Sequence, residues 1–238
     1  MRNIASVLFC LFILTACEDS SKKNQVILSD SSGNINNLSV IIDNDLWNGE
    51  VGEAIRKVLA APVDGLPQEE PLFSINQMPP EAFSGFVRKN RLYLTVQKGK
   101  EANVKVSKDS FARQQTGIKI TGKTNQEIID QIEKHSSEII RALKETEIKE
   151  KQRRIKKSLK DDSRLEKKLG VSLQFPSAYR YAKEEDDFFW IRKDIPNGSL
   201  EILVYEVPIS VIQKDTNIIG NIIAMRDSIG KKYIPGPF

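Results

Sequence analysis

Ile4 to Leu14 is an almost unbroken apolar run, and Leu14-Thr15-Ala16-Cys17 closes it. From Glu18 to Asn37 the chain turns polar; beyond that, apolar residues return in short blocks and helical stripes. Leu38 to Ile42 predicts a buried strand. Asn44 or Asp45 caps a helix starting near Trp47, in which Val51, Ile55, Val58 and Leu59 share a face before Pro62 ends it. Leu72 to Asn76 predicts a second strand, and Pro79-Pro80 opens a short helix carrying Phe83, Phe86 and Val87. Arg91–Val96 and Asn103–Val106 alternate on either side of Lys98-Gly99-Lys100, which predicts a hairpin.

Thr124-Asn125-Gln126-Glu127 is a capping box, with a hydroxyl and a carboxylate placed to satisfy orphan amides. A helical pattern runs from it to about Leu169. Ile128, Ile132, His135, Ile139 and Leu143 share one stripe. After Lys144 the apolar positions thin to Ile148, Ile155, Leu159 and Leu165, predicting a solvated helix with a narrow seam, stopped by Gly170. Val171–Phe175 begins the second part. Phe188–Arg192 and Leu200–Val207 read as strands joined across Pro196-Asn197-Gly198, and a helix follows from Asn217 to Gly230. The expected fold is α+β: two similar strand-plus-helix halves, residues 38–143 and 170–238, linked by a long charged helix, residues 144–169.

The N-terminal run has the form of a secretion signal, residues 1–16. Its eleven residues suit a signal core, whereas a bilayer span needs about 20. The small residues Thr15 and Ala16 before Cys17 make a lipobox, so Cys17 is the expected site of lipidation, carrying chains such as palmitate. Each buried methylene contributes about 0.8 kcal/mol and one chain holds only marginally, so two or three are needed for a stable anchor. Residues 17–37, rich in Ser, Asn and Asp, bury too little apolar surface to order themselves and read as a tether. Cys10 is removed with the signal, so the mature chain has no free thiol and no disulfide and depends on an ordinary core.

Removing the signal leaves 222 residues, enough for one larger or two small domains. The net charge is +4, yet residues 144–168 alone hold eleven Lys/Arg against six Asp/Glu. The remainder is close to neutral, which excludes a general basic surface for nucleic acid. Within the basic stretch Glu145–Lys149, Glu147–Lys151 and Glu150–Arg154 are spaced as i,i+4 pairs, the pattern of a solvated scaffold helix.

Gly117-Ile118-Lys119-Ile120-Thr121-Gly122-Lys123-Thr124 satisfies the spacing of a phosphate-binding loop. Ile118-Lys119-Ile120 alternates like a strand where that motif needs loop backbone, so a strand, a glycine turn and a capped helix is the preferred reading. His135 is the only histidine and sits on an apolar stripe. With no second histidine and no free cysteine, no metal site is expected, and there is no G-x-S-x-G nucleophile elbow. Asp43 and Asp45 flank a strand end, and Glu184-Glu185-Asp186-Asp187 precedes Phe188 as a solvated loop. Alternation sets Phe188 and Trp190 opposite Phe189 and Ile191, so one pair is core and the other is free. Tyr179, Tyr181, Phe188 and Trp190 form the candidate binding face.

Trp47-Asn48-Gly49-Glu50-Val51-Gly52-Glu53-Ala54-Ile55-Arg56, continuing from Ala61 through Pro71, together with Arg226-Asp227-Ser228-Ile229-Gly230 through Gly236, resembles a lipoprotein family of Bacteroidetes built on a domain of unknown function. The resemblance covers about residues 38–238 and carries over no catalytic residue. It implies an envelope lipoprotein, with periplasmic and surface exposure both open. Similar proteins continue past Tyr233, so a C-terminal part is expected to be missing. The functional expectation is a binding or assembly module at the outer membrane. It reaches the membrane through its lipid, meets an envelope protein or glycan, and needs no cofactor and no nucleic acid. The alternative is an extracytoplasmic hydrolase using carboxylates such as Asp43 and Asp45.

Overall fold

A computed structural model describes residues 27–65, 69–196 and 198–234. The signal segment and Cys17 therefore lie outside the described residues. The chain divides into two units, Met1–Glu147 and Ile148–Phe238. Both are α+β, with sheets of different kinds: five strands, mainly parallel, in the first and three antiparallel strands in the second.

The first unit runs β1 (Asn37–Ile41), α1 (Asn44–Trp47), α2 (Glu50–Leu59), β2 (Ser74–Met78), β3 (Leu92–Lys98), β4 (Asn103–Lys108), β5 (Thr116–Gly122) and α3 (Asn125–Lys134). Helix α4 (Ser136–Ile155) follows and runs across the division. The sheet order is β2-β1-β3-β5-β4, with β4 antiparallel at one edge. The predicted hairpin of β3 and β4 is thus corrected, because β5 lies between them. Burial explains the insertion. β5 buries six of its seven residues and belongs inside the sheet, whereas half-exposed β4, with Lys105 outward, suits an edge.

One face of this sheet carries Leu38, Val40, Leu92, Leu94, Ile118 and Ile120, all buried against Val51, Ile55 and Leu59 of α2 and Ile128 and Ile132 of α3. The capping box forms: Thr124 Oγ1 accepts from the Glu127 amide at 3.1 Å. The Glu127 carboxylate accepts from the Lys123 amide at 2.7 Å, one residue earlier than the usual partner. Ile139 and Leu143 extend the stripe on α4, and the half-exposed His135 marks the break between the two helices.

The expected continuous helix to Leu169 is corrected as well. α4 ends at Ile155, and α5 (Ser163–Leu169) begins after a turn. Asp161 and Asp162 make that turn: Asp161 accepts from the Ser163 amide and hydroxyl, and Asp162 accepts from Ser172 and Leu173. These bonds hold both carboxyls below their ordinary range. The solvated i,i+4 ladder is corrected at Glu147, which is buried and pairs with Arg91. Glu150–Arg154 forms as expected, with Arg153 added.

The Arg153 hydrogen bonds, resisted by burial and reinforced by Arg154, lower the Glu150 carboxyl from 4.5 to about 2. A folded-state pKa below the unfolded one stabilises above the unfolded value and is lost as pH falls through the folded one. Stability is therefore expected to drop by about 1–2 kcal/mol between pH 4.5 and about 2, discounted for the partly exposed arginines. Glu150→Gln should remove this component when urea unfolding is compared above and below that window; an unchanged acid limb would refute it.

The second unit continues with β6 (Arg180–Glu184), β7 (Phe188–Ile195), β8 (Gly198–Tyr205) and α6 (Ile218–Tyr233). The strands form an antiparallel meander with β7 central. Leu165 of α5 and Phe175 pack on Phe189 and Ile191 to form its core.

Candidate functional site

In β5 every residue except Lys119 is buried. Ile41, Thr95, Lys119 and Lys105 lie in one register row across β1, β3, β5 and β4, on the face opposite the helices. Tyr93, Gly117 and Ser107 occupy the row on one side; Gln97, Thr121 and Asn103 occupy the row on the other. A mainly parallel sheet usually has helices on both faces. Here α2, α3 and the start of α4 cover one face, while Gln97, Lys105 and Lys119 on the other are exposed.

One end of that open face has an aromatic floor. Phe83, Tyr93 and Phe111 form a triangle with ring centroids 5.2, 5.8 and 5.8 Å apart. The Tyr93 ring lies across β5 at Gly117, where an added Cβ would fall 2.0 Å from the ring, so only glycine fits. The Tyr93 hydroxyl is 3.3 Å from Ser107 Oγ, which donates to the Gly117 carbonyl at 3.1 Å. Arg88 sits 5.3 Å from the Phe111 ring centre and donates from Nε to the Phe83 carbonyl at 3.0 Å.

Three depressions meet at Lys119. A cleft of 540 Å³ is bounded by Asp43, Glu81, Phe83, Arg88, Thr95 and Lys98 among others. A depression of 270 Å³ lies over the aromatic floor, between Phe83, Tyr93, Phe111, Lys105 and Lys119. A third, of 480 Å³, is lined by Lys100, Glu101, Asn103, Lys105, Lys119 and Thr121. The chain leaves β1 for β2 on one side and returns to β3 on the other, so the β1–β3 boundary is a topological switch point. The largest of the three opens there, at the carboxyl ends of both strands, where open α/β sheets hold ligands.

Lysines and an arginine outnumber carboxylates around these depressions. Asp43 and Glu81 line the cleft, and Glu101 pairs with Lys123. Among the described residues no group of three His, Cys, Asp or Glu is placed to hold a metal ion. No helix among them is long and apolar enough to cross a membrane.

Asp43 follows β1 and is exposed at the cleft; Asp45, in α1, is exposed and is not part of its lining. Gly117–Gly122 is strand backbone, in keeping with the strand, glycine turn and capped helix. The four aromatics expected to share a face divide between the two sides of the second sheet. Tyr179 and Tyr181 pack edge-on against Phe175 within the core, with Tyr181 Oη donating to the Asp161 carbonyl at 2.9 Å. Phe188 is fully buried beneath Tyr233 on the other side. Trp190 alone among Phe188 to Ile191 is half-exposed, its indole donating to Glu201. The surface beside it is a charge ladder, in which Arg192 and then Arg180 hold Asp194 below the ordinary carboxylate range.

No motif in the sequence marks Lys105 and Lys119 as a pair. The signal was present in the alternations Val104-Lys105-Val106 and Ile118-Lys119-Ile120, but their neighbourhood depends on a strand pairing that no local pattern states. Residues 31–156 match a family model described as a domain of unknown function (DUF8532). Residues 158–238 match a second, described as a domain of unknown function (DUF4837). No curated protein and no solved structure matches the chain.

Proposed function

The chain belongs to the DUF8532 family, and from that premise we propose that it is a cell-envelope lipoprotein that works as a binding or assembly module. Lipid on Cys17 holds it at the outer membrane, among lipoproteins of the Bacteroidetes kind that its sequence blocks resemble. The observation that carries the binding role is the open sheet face, where three depressions adjoin around Lys119 beside an aromatic floor. Such a surface suits recognition of an envelope protein or glycan within reach of the tether. The second reading is a carboxylate-dependent hydrolase, favoured only by Asp43 and Glu81 lining the same cleft. It lacks a histidine there, since His135 lies at the α3–α4 junction, bonded to Glu138.

The anchor is tested by fractionating cells that express the wild-type chain or Cys17→Ser. The wild type is expected in the membrane fraction and the variant in the soluble envelope fraction. Membrane retention of the variant would overturn the anchor.

A further inference from the structure

Two lysines stand opposite each other across neighbouring strands of the open sheet. Lys105 and Lys119 are direct register partners in antiparallel β4 and β5, and both are exposed. Like charges directly opposite across a strand pair are destabilising. Among the described residues neither is paired with a carboxylate, and the nearby Glu101 is engaged by Lys123. Edge strands often carry lysine to prevent further pairing, which accounts for Lys105 on β4. That account fails for Lys119. It sits on β5, inside the sheet, as the one exposed residue of a strand otherwise buried.

We propose that the Lys105–Lys119 pair is an anion-binding site, and that its ligand joins a phosphate or carboxylate to a flat apolar group resting on Phe83, Tyr93 and Phe111. This rests on the binding reading above and names the ligand class of that face. The two parts adjoin in one 270 Å³ depression, which both lysines and all three rings line. An anion bridging the ammoniums converts their repulsion into two charge-assisted bonds. Thr121 and Asn103, which line the neighbouring depression with the same lysines, offer further polar contacts. Asp43 sets the orientation: it follows β1, two strands from β5, so the anionic end lies toward β4. Gly117 keeps the floor flat, because any side chain there would displace the Tyr93 ring.

The test uses ligand-observed NMR on the full chain with three probes: phenyl phosphate, inorganic phosphate and benzyl alcohol. Phenyl phosphate should bind saturably, inorganic phosphate should compete more weakly, and benzyl alcohol should not bind measurably. The double variant Lys105→Gln/Lys119→Gln, with an unchanged unfolding curve, should weaken phenyl phosphate binding by about tenfold or more. Lys105→Arg/Lys119→Arg should retain it. Absence of saturable binding, equal binding by the glutamine variant, or benzyl alcohol binding as tightly as phenyl phosphate would each overturn the proposal. A photocrosslinker at Gln97 in cells tests the underlying reading separately. Capture of an envelope component alongside failure of phenyl phosphate would leave the binding module standing and remove only its anionic ligand.

Discussion

Glu147→Ala is expected to destabilise the first unit by about 3–5 kcal/mol, because it breaks a buried ion pair with Arg91 by removing one partner. The Glu147 and Arg91 side chains are 2% and 1% exposed, and Arg91 Nε lies 2.6 Å from Glu147 Oε1. The other carboxylate oxygen accepts from the Asn36 amide at 2.6 Å. Arg91 also donates to the carbonyls of Gly33 and Asn34, at 3.0 and 2.8 Å. One ion pair thus ties α4, the start of β3 and the turn before β1 together. Asn36 holds φ 60° in that turn, a left-handed conformation asparagine tolerates. The single change removes the Glu147 carboxylate from Arg91 and takes away the acceptor of the Asn36 amide. Replacing both residues, as Arg91→Met with Glu147→Leu, should recover most of the loss, since a buried pair is often no more stable than packed apolar side chains. Urea unfolding followed by circular dichroism checks both expectations. A loss under about 1 kcal/mol for Glu147→Ala would place this pair among weak surface bridges.

Phe188→Ala should cost the second unit a similar amount, about 3–5 kcal/mol. The ring is fully buried, stacked on Tyr233 at 4.0 Å and 8° between planes, with Tyr205 at 6.3 Å. Tyr233 is itself held by its hydroxyl, which donates to Asp187 at 3.2 Å and accepts from Lys232 at 2.6 Å. Truncating Phe188 opens a cavity under the C-terminal end of α6, so hydrogen exchange should accelerate along that helix. Trp190→Ala, at a half-exposed position on the same strand face, should cost less than about 1 kcal/mol. Equal effects at the two positions would mean that Phe188 is not the core residue its burial implies and would return it to the candidate binding face.

This contrast shows how far alternation reaches. It separates Phe188 and Trp190 from Phe189 and Ile191, and the separation holds in β7. It does not state that Tyr233, 45 residues away in sequence, arrives to cover Phe188. The helix breaks at Asp161-Asp162-Ser163, between apolar positions at Ile155, Leu159 and Leu165 that suggest one continuous helix. Of the cleft, only Asp43 was legible as a candidate. Lys119 lay inside a stretch whose strand character was recognised and whose outward residue was not.

By itself the sequence determined the elements whose causes are local. Thr124 caps α3, Val51, Ile55 and Leu59 line α2, and Ile118-Lys119-Ile120 makes a strand, because a hydroxyl, a spacing of four and a spacing of two act over a few residues. The tertiary structure decided which elements meet. β5 displaced β4 from β3, Glu147 left its helical neighbours for Arg91, and Lys105 came to face Lys119. Each outcome follows from burial summed over the whole sheet. A strand with six of seven residues buried gains most with a neighbour on each side, and no local signal carries that comparison.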